Sequence, residues 1–476
     1  MIEGLKPYAE YKESGQEWLG GVPLHWDVRR TKLILREVDS RSTTGKEQLL
    51  RVSQYTGVTQ RKAADGADAP DTRAASLVGY KRVSVNDLVI NIMLAWNGSM
   101  GVSRFDGIAS PAYCVYRLNK GAQPWYFHQL FRLPLYKGRI KTVSTGVIES
   151  RLRLYSDDLG RIEAILPPPD EQAAIVRFLD HANRKIDGFI RAKRKLIGLL
   201  NEQKQAITHR AVTRGLHPDV PLKPSGIPWL GDIPDHWKLR RVRTCILDSR
   251  AGIWGTDPAP SNKSDQIVCV RVADFDMQFL TVGIKKLTLR AVAESARTPR
   301  MLQRGDILLE KSGGGEAEPI GRVVLFNLEM PAISSNFIVR IRVDRAVVHP
   351  EFLLQVLAIM QKTRRNVPFI KQTTGIQNLN EKTYCSLPIG VPPLKEQTEL
   401  IAALSHAVDP INTAIARTER EIALMQEYRT RLTADLVTGK LDVREAAAKL
   451  PNQPAAPDAE PTPDETLEEI ETKDLP

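Results

Sequence analysis

Ser14-Gly15-Gln16-Glu17-Trp18-Leu19-Gly20-Gly21-Val22-Pro23-Leu24-His25-Trp26-Asp27-Val28-Arg29-Arg30 recurs as Ser225-Gly226-Ile227-Pro228-Trp229-Leu230-Gly231-Asp232-Ile233-Pro234-Asp235-His236-Trp237-Lys238-Leu239-Arg240-Arg241, with ten of seventeen positions identical. The offset is 211 residues throughout. Farther on, Pro167-Pro168-x-x-Glu171-Gln172 returns as Pro392-Pro393-x-x-Glu396-Gln397, and each copy leads into a long helical pattern. Solenoid repeats run to about 20–50 residues, so this period belongs to something else. The chain reads as a duplicated unit of domain plus helix, presenting two similar but non-identical faces at a fixed separation.

Composition bounds the partners. The 476 residues suit about three domains, and 42% hydrophobic content is ordinary for a protein with true cores. Net charge is +11 and the pI is about 9.4. Residues 445–476 hold nine acidic and two basic side chains, so the rest of the chain carries +18. A basic body with an acidic tail points to nucleic acid first and a membrane surface second, with a merely solvated basic surface as the plain alternative. Cys114, Cys245, Cys269 and Cys385 are scattered without a CxxC pair, which suggests neither zinc nor a disulfide framework and fits a reducing cytosol. Met1-Ile2-Glu3-Gly4-Leu5-Lys6 lacks an apolar leader core, and no stretch nears the ~18 apolar residues of a membrane span. A soluble, cytoplasmic protein with no membrane partner is expected.

Each half continues from its opening segment through short β-branched stretches separated by turn residues. Leu49-Leu50-Arg51-Val52, Asp87-Leu88-Val89-Ile90 and Cys114-Val115-Tyr116-Arg117-Leu118 are answered by Ile267-Val268-Cys269-Val270, Asp306-Ile307-Leu308-Leu309 and Phe337-Ile338-Val339-Arg340-Ile341. Their composition and length predict strands. Amphipathic helices follow at residues 125–131 and 350–360.

From residue 170 to about 213 a heptad places Leu179, Ile186, Lys193, Leu200 and Ile207 at a, with Ile175, Ala182, Phe189, Leu196 and Gln203 at d. The second copy places Leu404, Ile411, Thr418, Met425 and Leu432 at a, with Leu400, Ala407, Ala414, Glu421 and Tyr428 at d. A sustained seven-residue repeat implies a coiled-coil seam, and the polar a layer at Lys193 and Thr418 can set register. The alternative is that each helix packs only on its own domain. Pro410 predicts a kink or break in the second helix. A helix of ~44 residues spans about 65 Å, so an antiparallel pair would hold the two domains well apart. The expected fold is α+β: two mixed α/β domains separated by two long helices that pair as an antiparallel coiled coil, in a pseudo-twofold arrangement. The boundaries read as 1–165, 166–216, 217–390 and 391–443, followed by a Pro-rich acidic tail at 444–476 that is too polar to pack.

The duplicated opening segment and the duplicated Pro-Pro-x-x-Glu-Gln lead into a long helix resemble the specificity subunit of type I restriction–modification enzymes. Ser144-Thr145-Gly146-Val147 and Thr373-Thr374-Gly375-Ile376-Gln377-Asn378-Leu379 add to the resemblance, which runs to about Val443. After Gly146 the first half departs from the pattern, with the more charged Glu149-Ser150-Arg151-Leu152. The resemblance implies a subunit without catalysis. Each α/β domain would be a target-recognition domain for one half of an asymmetric, bipartite duplex DNA sequence. The helices would set the gap and dock two methyltransferase subunits, which carry S-adenosylmethionine. Restriction subunits would join the same assembly and use ATP and Mg2+.

The residues agree with that role. No G-x-x-x-x-G-K-[ST] loop is present, and Gly313-Gly314-Gly315 runs into Glu316 and Glu318, which repel phosphate. Neither Pro-Pro pair belongs to an amino-methyltransferase tetrapeptide. Asp306, Glu310 and Lys311 resemble a nuclease core, but adjacent Glu and Lys on a strand point to opposite faces. The repeated His25/His236 and His181/His406 have no general-base partner nearby in sequence, and capping or packing suits them better. The four repeated tryptophans suit core packing.

Sequence reading on DNA needs phosphate-neutralising cations and side chains that reach base edges. Such residues should differ between the halves, because identical domains would demand a symmetric target. Arg51, Gln54 and Tyr55 align roughly with Arg271, Asp274 and Phe275, while Asn91, Trp96 and Asn97 face Glu310, Lys311 and Ser312. Arg104, Lys141, Arg322 and Lys371 suit phosphate or base contacts. Docked on one face of B-DNA, the two domains would read half-sites centred about one helical turn, ~34 Å, apart. Two rivals remain: a stand-alone DNA-modifying enzyme, and a coiled-coil scaffold whose basic charge is incidental.

Overall fold

A computed structural model describes residues 5–61, 74, 76–146, 152–258, 265–285, 287–314, 319–373 and 376–451. Val147, the Glu149–Arg151 departure, Thr374-Gly375, Glu316, Glu318 and the tail beyond 451 lie outside them. The chain divides into two units: Met1–Arg191 with Ile422–Pro476, and Ala192–Glu421. Two long helices, Pro169–Arg214 and Leu394–Val437, each contribute to both units.

The core sheet of unit 1 is antiparallel, in the order Leu35–Glu37, Tyr113–Leu118, Leu88–Asn91, Met100–Val102. Leu88–Asn91 is buried along its whole length, as its apolar run requires of a central strand. The helix Pro124–Arg132 starts on a proline, whose fixed φ suits the first helical position. Its Tyr126, Phe127, Leu130 and Phe131 are fully buried against the sheet. Two-stranded ribbons complete the unit. One pairs Asp27–Arg30 of the opening segment with Glu163–Leu166, just before the first long helix.

Unit 2 repeats the plan with more strands. Its main sheet runs Ile246–Ala251, Ile338–Val343, Ile307–Glu310, Val323–Leu325, Thr281–Val282, Phe275–Asp276. Lys238–Arg241 pairs with Pro388–Val391 before the second long helix, as in the first unit. A smaller sheet joins Ser312–Gly313, Ile376–Leu379 and Ile370–Thr373. One device at the start of the central strand recurs. Arg117 grips the buried Asp87 through Nε (2.9 Å) and Nη2 (3.0 Å), and Arg342 grips Asp306 the same way at 2.9 and 2.8 Å. Each carboxylate also caps its own turn, accepting from Ser84 N or Gln303 N. Asp306 is therefore occupied as a structural acceptor.

The cores mix sequence-distant pieces. In unit 1, Ile175, Phe178, Leu179 and Ala182 of the first long helix join one cluster with Leu432, Leu436 and Val437 of the second. In unit 2, Ala211 and Val212 of the first join Leu400 and Leu404 of the second. Both units thus hold part of a long helix pair. Pro410 does not break the second helix, which runs on through it. Proline removes one N–H and frees the carbonyl four residues back, and residue 410 is exposed, so water reaches that side of the helix.

Of the proposed seam, Leu179, Ile186, Leu404, Ile411 and Leu432 are buried, while Phe189, Leu200 and Met425 are half-buried. Leu196 is 40% exposed and does not lie in a seam. A helix of 3.6 residues per turn drifts about 20° per heptad from a strict seven-residue repeat, which turns such a position outward. The polar layer holds an ion pair, with Lys193 Nζ 2.7 Å from Glu421 Oε2, while Thr418 bonds back to Ala414 O of its own helix.

The segment expected from residue 444 to be too polar to pack is packed at its start. Arg444–Ala448 is a short helix whose Ala446 and Ala447 are buried in the core of unit 1. Two alanines supply the apolar contact that the acidic composition of the segment concealed.

Candidate nucleic-acid interface

The two repeated signatures meet in space. In unit 1, Trp26 Nε1 donates to Glu171 Oε2 at 2.7 Å, and His25 Nε2 lies 2.6 Å from Glu171 Oε1. In unit 2, Trp237 Nε1 donates to Glu396 at 2.9 Å and His236 Nε2 lies 2.7 Å from it. The neighbouring glutamines tie the domain to the helix start. Gln172 accepts from Gln123 N and donates to Pro167 O; Gln397 accepts from His349 N and donates to Val347 O and Pro392 O. Trp26 and Trp237 are completely buried. A third repeat, Val212-Thr213-Arg214-Gly215-Leu216 and Val437-Thr438-Gly439-Lys440-Leu441, escaped the sequence reading because its glycine shifts by one place. Gly215 and Gly439, at φ +72° and +78°, end the long helices against Trp237 and Trp26 respectively. This three-way joint gives each unit a rigid frame. Its histidines are tied to these carboxylates, of which Glu171 is buried and Glu396 partly exposed.

On that frame the candidate reading residues are distributed unevenly. In unit 1, Gln54 and Tyr55 form the turn between the strands Leu50–Ser53 and Gly57–Gln60, and Tyr55 is 44% exposed. Arg51, on the first strand, donates to Thr59 Oγ1 across the hairpin at 3.2 Å. Asn97 sits in the next turn, its Oδ1 accepting from Ser99 N and Oγ. Lys141 Nζ stands over the Trp96 ring at 5.5 Å, and Arg104 over Trp125 at 4.2 Å. Asn91 is buried and caps its own turn through Met93 N.

In unit 2 the candidate arginines are held by carboxylates. Arg322 grips the buried Glu310 at 2.9 and 2.8 Å, and Arg271 grips Asp274 at 3.3 and 2.8 Å. Lys371 lies opposite Asn378 in the small sheet, and Asn378 is also opposite Ser312, whose Oγ is 2.7 Å from Asn378 Oδ1. Lys311 bonds through its backbone to Phe337 O and Leu379 N. The structure thus gathers Lys311, Ser312, Asn378 and Lys371 around one sheet. Among the described residues no group of three or more His, Cys, Asp or Glu side chains could hold a metal. Among the same residues no helix is long and apolar enough to cross a membrane.

Sequence reading passed over the polar groups that fix these surfaces. In unit 1 they are His128 and Arg132. His128 Nδ1 accepts from Val102 N, and burial first, then the charges of Arg132 and Arg104, hold its pKa well below the ordinary value. Burial also lowers Arg132, to about 10. In unit 2, Lys204 of the first long helix donates to Gln278 O at 2.6 Å and to Asn412 Oδ1 at 2.8 Å, and burial lowers its pKa. This stitches the turn between Phe275–Asp276 and Thr281–Val282 to both helices.

A family model for the type I restriction modification DNA specificity domain matches residues 277–423. The chain is 23% identical over 384 residues to the type I restriction enzyme StySPI specificity subunit of Salmonella potsdam, covering 76% of this chain and 79% of that one. It is 22% identical over 457 residues to the MjaVIII specificity subunit of Methanocaldococcus jannaschii, covering 91% and 97%. A solved structure concerned with complex assembly and conformational transition of the type I R-M system superimposes with a TM-score of 0.60. That match covers 87% of this chain and 98% of the other at 16% identity, a likeness of fold.

Proposed function

The chain belongs to the type I restriction–modification specificity subunits, and from that premise we propose how its DNA-recognition role is divided. Unit 1 and unit 2 each carry a target-recognition domain, and each reads one half of an asymmetric, bipartite duplex sequence. The long helices pair as an antiparallel coiled coil with a pseudo-twofold relation, set the gap between half-sites, and dock two methyltransferase subunits. Chemistry belongs to partners in the cytoplasm: S-adenosylmethionine on the modification subunits, ATP and Mg2+ on the restriction subunits.

One observation carries this reading. The Trp–His–Glu–Gln joint is repeated in both units, while most candidate side chains around it differ, Gln54 and Tyr55 against Asp274 and Phe275, and Asn91 and Asn97 against Glu310 and Ser312. A common frame with unlike faces is what two half-sites of unlike sequence require. Lys141, Arg104, Lys371 and Lys311 supply charge for phosphates, which positions the duplex without reading it. Arg271 and Arg322, already held by carboxylates, have less rotamer freedom to lose on meeting a base edge.

The test is selection of duplexes from a randomised library by the full-length chain, at several salt concentrations. A bipartite consensus whose affinity falls linearly in log–log against salt is expected. Retention of every duplex alike would favour the scaffold reading.

A further inference from the structure

The helix Pro124–Arg132 ends on a guanidinium that meets five backbone carbonyls in two separate stretches of chain. Arg132 Nη2 donates to Gln54 O and Tyr55 O at 2.8 Å each. Nη1 faces Met100 O at 2.6 Å, Gly98 O at 3.2 Å and Ser53 O at 3.4 Å. One turn earlier on the same helix, His128 accepts from Val102 N. Two glycines make room for the closure. A Cβ on Gly57 would lie 3.1 Å from His128 Cε1, and one on Gly101 would lie 3.0 Å from Gly57 Cα. The 53–57 turn and the 98–102 stretch therefore close on a single polar joint.

Burying a guanidinium is costly unless its donors are satisfied, and a carbonyl buried without a donor is costly too. Arginine's planar fork answers both demands at once, since its N–H groups are spread across several nitrogens. Counted from the helix-start prolines, Leu354 and Ala358 stand in unit 2 where unit 1 has His128 and Arg132. The joint is thus particular to the sequence of unit 1, as a half-site preference must be.

We propose that Arg132 is the positioning residue for the reading surface of unit 1. It locks the turn bearing Gln54 and Tyr55 to the turn bearing Asn97, and so sets discrimination at one half-site without touching DNA. This rests on the reading that each unit recognises half of a bipartite duplex. Recognition tolerates only about 0.5 Å of misplacement, so loosening the joint removes discrimination that good base contacts supply at about tenfold or more per base pair.

The experiment compares wild type, Arg132→Lys and Gly57→Ala as full-length chains in duplex selection from a randomised library, with thermal unfolding of each. Lysine carries its donors on one nitrogen and cannot span both stretches. Alanine at residue 57, where φ is +76°, presses on His128 and opens the same joint from the hairpin side. Both variants should keep the wild-type preference at one half-site and lose about tenfold at the other. Full retention of both halves overturns the proposal. Parallel loss at both halves does so too, because it would mark Arg132 as a general stability residue. A wild-type chain that selects no bipartite sequence instead sinks the underlying reading of the units.

Discussion

Glu171 and Glu396 stand at the same place in two copies of one motif, and their surroundings differ. Glu171 receives Trp26 and His25, the Tyr8 hydroxyl at 3.1 Å, and the Arg444 guanidinium at 3.4 Å; its side chain is 4% exposed. Glu396 receives Trp237 and His236 and is 22% exposed, on the wall of a cleft of about 290 Å³ that His217, Lys395 and Glu399 also line. The cause is chain routing. In unit 2 the chain passes from the first long helix directly into the opening segment. In unit 1 that segment is met by Asp442, whose N–H donates to Lys6 O at 2.7 Å, with Arg444 following. The contacts shared by the two sites are those the frame requires. The extra ones in unit 1 serve to fasten a strap of later sequence.

The largest expected effect tests this difference directly. Glu171→Leu should cost about 2–5 kcal/mol, because it leaves Trp26 Nε1 and the Tyr8 hydroxyl without an acceptor at a buried site, while Arg444 keeps Asp442. Glu396→Leu should cost about 1–2 kcal/mol, the range for unmaking hydrogen bonds at a site water can reach. Urea unfolding followed by tryptophan fluorescence measures both, and equal costs would break the comparison.

A second effect falls on unit 1 through His128. Unfolded, its imidazole titrates near 6.5; folded, burial keeps it neutral to much lower pH. The unfolded chain therefore takes up a proton first as pH falls below 6.5. The stability that His128 contributes is complete above that pH and declines below it, by up to about 1.4 kcal/mol per pH unit. Unit 2 has Leu354 at this place. His128→Gln should flatten the acid-side decline in thermal midpoint, and an unchanged slope would assign the sensitivity elsewhere.

The smallest effect concerns Leu196. Leu196→Gln should change stability by no more than about 0.5 kcal/mol, as exposed positions do. Leu179→Gln, at a fully buried place on the same helix, should be severely destabilising.

The duplication, the strand segments and both long helices were legible because each leaves a local pattern. Trp26 and Glu171 were both singled out, yet the bond between them was not, since 145 residues separate them and no periodicity encodes a pairing at that distance. Lys193 was seen as a break in a hydrophobic layer, while its partner Glu421 was seen only as a polar d residue. Arg132 was invisible for another reason. A cation at the end of an amphipathic helix reads as an ordinary match to the helix dipole. The candidate surfaces were located through differences between the halves, and Asn91 illustrates the limit of that approach: its side chain serves its own turn.

The strap of unit 1 has a consequence for synthesis on the ribosome. Domains made first usually fold first. Here the core of unit 1 takes in Leu432, Leu436, Val437, Val443 and Ala446, which emerge only after the whole of unit 2. Unit 2 is one uninterrupted stretch, Ala192–Glu421, and has all its parts earlier. The half that is begun first is the half completed last.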